Sequence, residues 1–215
     1  MNIVISGTSR GIGRAIAQKF IDEGHAVFGF DVRESTIDSP LYTHFIHDVR
    51  DGAFPETPAP GIVISNAGTL EEEDALSVNL TGAIRFTEHF IGSENLRSVL
   101  FIASASARNG AEFPYYVASK AGLVGYMKNL ALKLAPRGVT VNSVSPGGVI
   151  TESNAHIIES GELYKLALAE TLLNKWAEPE EVAELAYYMT AVNRSITGED
   201  VLMDNGEMLR SNFIW

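Results

Sequence analysis

Tyr116 and Lys120 lie four apart in the run Tyr116-Val117-Ala118-Ser119-Lys120. On a helix this spacing puts both side chains on one face, one turn apart. A phenol and an ammonium would then share a cavity. A free phenol has a pKa of about 10 and is a poor base near neutrality. A neighbouring cation favours the phenolate and lowers that value, so such a tyrosine can take or return the proton of a substrate hydroxyl. The spacing also suits a half-buried ring and a solvated amine on any amphipathic helix. Its meaning therefore depends on the elements that would position it.

Those elements begin at the N-terminus. Residues 2–5 (Asn-Ile-Val-Ile) form a short β-branched run that ends at once in Ser6-Gly7-Thr8-Ser9-Arg10-Gly11-Ile12-Gly13. Ile12, Ile16, Phe20 and Ile21 then recur at helical spacing as far as Gly24. Strand, glycine turn and helix together are the context in which a glycine pattern points to a dinucleotide. Glycines let the backbone approach a pyrophosphate, and the helix N-terminus offers free N–H groups and a positive dipole end. A glycine turn without a ligand would read the same way. A second strand is expected at 26–30, followed by Asp31, which stands 18 residues after Gly13. That is near the place of the acid that bonds an adenosine ribose, and a carboxylate there favours NAD over NADP. Arg10 and Arg33 pull toward NADP, because either can meet a 2′-phosphate.

Further strands are expected at 42–47, 62–64, 98–102, 139–144 and near 201–203, with helices at 75–90, from Tyr116 to Leu134, and from Pro179 to Met189. Alternating strands and helices imply an α/β fold: a Rossmann-type, doubly wound parallel sheet flanked by helices, as a single domain over 1–215. Pro55, Pro58 and Pro60 exclude a regular helix between Gly52 and Gly61. The acidic run 71–74 suits a solvated loop or a first helical turn, because adjacent carboxylates on a helix do not converge on a metal. Residues 152–175 have no strong period; a lid over the substrate site and a pair of surface helices both fit. The apolar tail 211–215 suits burial in a groove or a subunit contact.

Composition excludes several classes. The chain has 215 residues, 46% hydrophobic and 20% charged, within the globular range. A formal net charge of −11 argues against a nucleic-acid partner. No apolar stretch approaches the roughly 20 residues of a membrane span. Met1 leads straight into an apolar strand without a basic leader, so a cytoplasmic location is expected. There are no cysteines, hence no disulfide and no thiolate metal site.

Ser6-Gly7-x3-Gly11-Ile12-Gly13, Asn66-Ala67-Gly68, Asn79, Ser104, Tyr116-x3-Lys120 and Pro146-Gly147 occur in this order. The pattern resembles the short-chain dehydrogenase/reductase family from Asn2 to about Gly206. The resemblance implies an NAD(P)-dependent oxidoreductase that interconverts a secondary alcohol and a ketone by hydride transfer. By the same resemblance Tyr116 is the general acid/base and Lys120 lowers its pKa while holding the nicotinamide ribose. Ser104 bonds the substrate oxygen, and Asn79 holds a water in a proton relay from Lys120. Gly7, Gly11, Ile12 and Gly13 line the pyrophosphate, with Ser9 and Arg10 beside them; Asp31 meets the ribose, and Asp48 and Val49 the adenine. Asn66, Ala67 and Gly68 face the centre of the cofactor, while Pro146, Gly147, Val149 and Thr151 close over its carboxamide and phosphate. NAD is the expected cofactor, with NADP as the alternative, no metal is expected, and a homodimer or homotetramer is the expected assembly.

The departures are specific. Ser6 stands where the family usually has Thr, and Ser65 where it usually has Asn. The stretch from Asp48 to Ile62 lacks most of a helix, and Gly68 to Asn79 spans only 11 residues, shorter than usual in the family. The sheet face over the adenine is therefore expected to be thinly covered. Two other functions remain open on the sequence: an NADPH-dependent 3-oxoacyl thioester reductase, if Arg10 outweighs Asp31, and a non-catalytic dinucleotide-sensing protein, which should have lost part of the tetrad. No such loss is visible.

Overall fold

The computed structural model describes residues 1–209, so the 211–215 tail lies outside the described residues. Seven strands form one parallel sheet: β1 (Asn2–Ser6), β2 (Ala26–Asp31), β3 (Tyr42–Ile46), β4 (Ile62–Ser65), β5 (Ser98–Ile102), β6 (Thr140–Pro146) and β7 (Asp200–Met203). Their spatial order is β3-β2-β1-β4-β5-β6-β7. The continuous apolar runs explain the parallel arrangement. Ile3, Val4 and Ile5 in β1 and Ile62, Val63 and Ile64 in β4 are all fully buried, as strands covered on both faces must be. The order reverses between β1 and β4, whose register pairs Val4 with Val63. The crevice beyond their carboxyl ends is where ligands sit in open α/β sheets.

One face is covered by α1 (Gly11–Asp22) and, from the far end of the chain, by the helix Pro179–Tyr187. Ile16, Ala17 and Phe20 pack there with Val182, Ala186 and Met189. The other face carries the long helix Pro114–Leu134, whose Leu123, Met127 and Leu130 pack beside Phe86 and Phe90. The expected helix at 75–90 is more elaborate than its periodicity. It begins as α2 (Glu72–Ala75), widens into a π-helical stretch, Leu76–Gly82, and resumes as α3 (Ala83–Phe90). The acidic run supplies the first turn of α2, where carboxylates suit the helix dipole. Gly82 allows close approach within the π stretch, since a Cβ there would lie 2.7 Å from Cγ2 of Val49.

The missing crossover helix does not leave the sheet bare, contrary to the thin cover expected from the sequence. Residues 47–61 run as a loop, and that loop drives Phe54 into the core, where it is 8% exposed. Its ring lies 5.6 Å from Phe86, 6.1 Å from Phe90 and 6.2 Å from Phe30. His47 and His89 close its edges at 4.7 and 5.2 Å. One aromatic side chain thus takes over much of the cover of an absent helix. Phe54→Ala is accordingly expected to destabilise the protein by about 3–5 kcal/mol in urea unfolding. A loss below about 1 kcal/mol would show that the loop holds the core by other contacts.

The remaining helices are α4 (Ser106–Asn109), α5 (Pro114–Leu134), α6 (Ala155–Ile158), α7 (Gly161–Ala169) and α8 (Pro179–Tyr187). Pro114 starts α5 in the first-turn position where its missing N–H is tolerated, and Pro179 does the same for α8. Among the described residues no helix is long and apolar enough to cross a membrane.

Candidate active site

The β1–α1 turn forms one end of the site. Gly7 and Gly11 adopt φ of +76° and +52°, angles at which any side chain is strained. Gly13 is required for another reason: a Cβ would lie 1.9 Å from the Gly7 carbonyl oxygen and 2.3 Å from Nδ2 of Asn66. The N-terminus of α1 has no side-chain cap, so its first N–H groups remain available to an anion. Thr151 packs over this turn, its Cγ2 being 3.3 Å from where a Gly11 Cβ would stand.

Ser6 has a clear task despite replacing Thr. Its Oγ accepts from the backbone N–H groups of Asn66 and Ala67 at 3.0 and 3.1 Å. Asn66 Nδ2 in turn donates to the carbonyls of Ser6 and Gly7 at 3.1 and 3.0 Å. These four bonds join the loops after β1 and β4 at the point where the strand order reverses.

Asp31 ends β2 beside this turn. One carboxylate oxygen accepts from the Ser9 N–H and the other from the Arg33 N–H, each at 3.0 Å. Behind it, Ser9 Oγ and His44 Nε2 both donate to the Arg33 carbonyl, at 2.9 and 2.8 Å. The carboxylate is thereby held in place at the cavity edge. Asp48 is held similarly: Arg50 grips both of its oxygens and reaches Asp74 at 2.8 Å. That guanidinium keeps the Asp48 carboxyl below the usual carboxylate range.

The other end of the site lies on α5 and the loop after β5. Lys120 is 4% exposed, and its Nζ donates to the Ile102 carbonyl at 2.9 Å. It stands 5.8 Å from the centroid of the Tyr116 ring. Burial pulls the Lys120 pKa down to about 8, with Glu112 opposing. Burial pushes Tyr116 up to about 12; its hydrogen bond to Ser104 opposes this and the Glu112 charge adds to it. Burial outweighs what favours the phenolate and sets the direction of the Tyr116 shift.

All these groups face one cavity of about 800 Å³. Of the residues expected from the sequence, Gly7, Arg10, Gly11, Ile12, Gly13 and Asp31 line its first end. Asp48, Val49, Asn66, Ala67 and Gly68 line its middle, and Ser104, Tyr116 and Lys120 its far end. Pro146, Gly147, Val149 and Thr151 form the facing wall. Two expected residues stand behind the wall instead. Ser9 is engaged with Asp31 and Arg33. Asn79 is fully buried; its Oδ1 accepts from Thr69 N at 2.8 Å, and its Nδ2 donates to the Thr69 carbonyl at 2.9 Å and to Ser119 Oγ at 3.1 Å. It therefore ties the loop after β4 to α5 next to Lys120, from a π-helical stretch of the kind that often marks functional sites.

The cavity fits a dinucleotide. A glycine turn too close for any Cβ, an uncapped helix N-terminus and an oriented carboxylate are spaced along it, and the phenol and ammonium lie at its end. Sequence reasoning missed Glu112, Ser106, Trp176 and Glu207, which also line it. Trp176 covers Gly148, where a Cβ would lie 2.3 Å from the indole, and Tyr164 of α7 meets Trp176 edge-on at 5.5 Å. Only Glu112 had a local signal, its place next to the Tyr116 helix.

Comparison with known proteins agrees with this geometry. A family model described as Enoyl-(Acyl carrier protein) reductase matches residues 64–207. L-rhamnose 1-dehydrogenase (NADP(+)) of Thermoplasma acidophilum is 27% identical, the match covering 97% of this chain and 96% of that protein. An uncharacterized short-chain type dehydrogenase/reductase of Sinorhizobium fredii is 30% identical over 96% of each chain. Among solved structures, ligand-free aldohexose dehydrogenase of Thermoplasma acidophilum superposes with a TM-score of 0.88 at 24% identity, covering 100% of this chain and 96% of that one; this is a likeness of fold. With a family match over most of the chain and a relative at 30% identity along nearly its whole length, the chain belongs to the short-chain dehydrogenase/reductase family of NAD(P)-dependent oxidoreductases.

Proposed function

We propose that the protein interconverts a neutral secondary alcohol and its ketone, with Tyr116 as acid/base and NAD(H) as the preferred cofactor. The observation that carries this reading is the convergence of Tyr116, Ser104 and Lys120 at one end of the cavity whose other end is the glycine turn and Asp31. Gly7, Arg10, Gly11, Ile12 and Gly13 would hold the pyrophosphate, Asp31 the adenosine ribose, and Asp48 and Val49 the adenine. Asn66 to Gly68 would hold the centre of the cofactor, and Pro146, Gly147, Val149 and Thr151 its nicotinamide half. When bound, the nicotinamide supplies the hydride or takes it, and its oxidised ring adds a positive charge beside the phenol.

The chain's own residues do the proton chemistry. Ser104 and Tyr116 present two hydroxyls to the substrate oxygen, where negative charge develops as the carbonyl is reduced. With its pKa pushed up to about 12 by burial, Tyr116 starts protonated and is ready to donate. Lys120, anchored on Ile102 and 5.8 Å from the centroid of the Tyr116 ring, would hold the nicotinamide ribose. Asn79 acts from behind, fixing Thr69 and Ser119 beside Lys120, and would hold a water in a proton relay from Lys120. The segment 152–175 serves as a lid over the substrate, a role supported by Ile157 and Ala167 lining the cavity and by Tyr164 docking on Trp176. The same reading takes the protein as a single cytoplasmic domain that assembles as a homodimer or homotetramer.

The test is fluorescence titration with NADH and NADPH, followed by a panel of secondary alcohols with the better oxidised cofactor. Tighter NADH binding and turnover of a secondary alcohol are expected. Failure to bind either dinucleotide would sink the reading. Asp31→Ala should reduce the preference for NADH by about tenfold, or ~1.4 kcal/mol, because a carboxylate that repels the 2′-phosphate is removed. An unchanged preference would move discrimination to Arg10 and Arg33.

A further inference from the structure

The backbone at Ser104 and its hydroxyl are held by different parts of the molecule. The N–H groups on either side, of Ala103 and Ala105, donate to the Val144 and Pro146 carbonyls of β6 at 2.8 Å each. The main chain is thereby pinned to the sheet, while the side chain keeps its choice of rotamers. Ser106 makes that choice: its N–H donates to Ser104 Oγ at 3.2 Å, and its Oγ lies 2.6 Å from Ser104 Oγ. Ser106 is the first residue of α4, a single turn with no side-chain cap. Such a turn fixes several dihedrals for few hydrogen bonds and does not persist unaided.

Its support comes from β7, the edge strand of the sheet. Arg108 of α4 donates from Nε to Oδ2 of Asp200 at 2.9 Å. Its Nη2 lies 2.8 Å from the same oxygen and also reaches the Asp200 carbonyl. Asp200 is 7% exposed, and its Oδ1 accepts from Ser143 Oγ and Ser145 Oγ at 2.6 and 2.7 Å. Strand geometry brings these groups together. Ser143 and Ser145 are two apart in β6 and share one face, and the parallel register sets Ser143 beside Asp200. Both carboxylate oxygens are occupied by donors, and the guanidinium balances the buried charge. Among the described residues this is the one hydrogen-bonded tie from segment 106–113 to the sheet.

Ser104 and Ser106 line the cavity, whereas Arg108 and Asp200 stand outside it. We propose that Arg108 is a positioning residue: clamped on Asp200, it seats α4 and, through Ser106, holds the Ser104 hydroxyl in the rotamer that meets the substrate oxygen. The clamp acts on the chemical step, because a donor stabilises developing charge best when it is already aimed. A released Ser104 hydroxyl has to be reoriented in each turnover. The proposal rests on the reading that Ser104 bonds the substrate oxygen.

The test is a double-mutant cycle of Arg108→Met and Ser104→Ala, with NADH titration and thermal unfolding as controls. It reads kcat for the secondary alcohol that the panel above shows to be turned over fastest. Arg108→Met alone should lower kcat about tenfold. NADH affinity should stay within about threefold, because the glycine turn and Asp31 lie at the other end of the cavity. Added to Ser104→Ala, the same substitution should cost less than about twofold more, since the hydroxyl it positions is gone. A general loosening of the fold would slow both backgrounds alike, so equal losses would overturn the proposal. Arg108→Lys keeps the charge without the two-pronged grip and should fall between wild type and Arg108→Met. If Arg108→Met unfolds because Asp200 is left without a counter-charge, the pair Arg108→Met and Asp200→Asn removes that charge and replaces it in the cycle. Wild-type kcat in Arg108→Met, beside a slow Ser104→Ala, would overturn the clamp alone. Wild-type kcat in Ser104→Ala would overturn the role of Ser104 itself, and the clamp with it.

Discussion

Tyr116→Phe is expected to lower kcat by a factor of about 10²–10⁴, the range for a positioned general acid/base. At 1.36 kcal/mol per decade this is roughly 3–5 kcal/mol of transition-state stabilisation. The substitution removes one oxygen, and the surrounding geometry gives little reason for wider damage. The ring is half-buried on α5, a helix of 21 residues whose Leu123, Met127 and Leu130 lie in the core. Phenylalanine retains that packing and loses only the hydroxyl, whose hydrogen bonding is worth about 1 kcal/mol. The glycine turn and Asp31 lie at the opposite end of the cavity, so NADH affinity should change by less than about threefold, under 1 kcal/mol. Stopped-flow measurement of the hydride step, paired with NADH titration, reads both quantities. Loss of NADH binding along with turnover would mean that Tyr116 supports the fold. Retained turnover would mean that another group moves the proton, and Ser104 would be the next candidate.

How much of this site could be read in advance depends on whether its residues carry local patterns. The β1–α1 turn could, because a β-branched run, three glycines and a helical repeat each leave a mark within about a dozen residues. So could Tyr116 and Lys120, whose shared face follows from helix periodicity alone. Phe54 could not. Three prolines announced the absence of a helix, yet no periodicity marks the one loop residue that fills the core in its place. The π-helical stretch around Asn79 was equally hidden, since one extra residue per turn leaves the apolar pattern of a short helix almost unchanged. Glu112 has a positive φ in a loop, and only the fold brings it to the Tyr116 end of the cavity. For the tyrosine, a cation four residues away is visible in the sequence, whereas the burial that raises the phenol's pKa arises only once the chain is folded.

Lys120→Met should abolish useful turnover and yet leave a more stable protein at neutral pH. Lys120 is 4% exposed and takes the Ile102 carbonyl as its hydrogen-bond partner, with no salt bridge to a carboxylate among the described residues. Burial pulls its folded pKa down to about 8 from the ordinary lysine value, so folding disfavours the charged form. Below about pH 8 the folded and unfolded chains both carry the proton, and the full penalty applies, on the order of 3 kcal/mol. Between the two values the unfolded chain binds more protons, so wild-type stability rises with pH, and above the higher value the penalty is gone. Methionine fills similar space without a charge but leaves the Ile102 carbonyl unpaired, at a cost of about 1–3 kcal/mol. The variant should therefore be more stable than wild type by up to about 2 kcal/mol near pH 7, with the difference shrinking as pH rises and reversing in alkaline solution. Urea unfolding of both proteins across this range measures it. A variant that is less stable than wild type by the same amount at every pH would show that the ammonium is solvated in the folded protein. The charge would then not be held at a cost to folding for the sake of Tyr116, which is the trade expected where an active site sets function against stability.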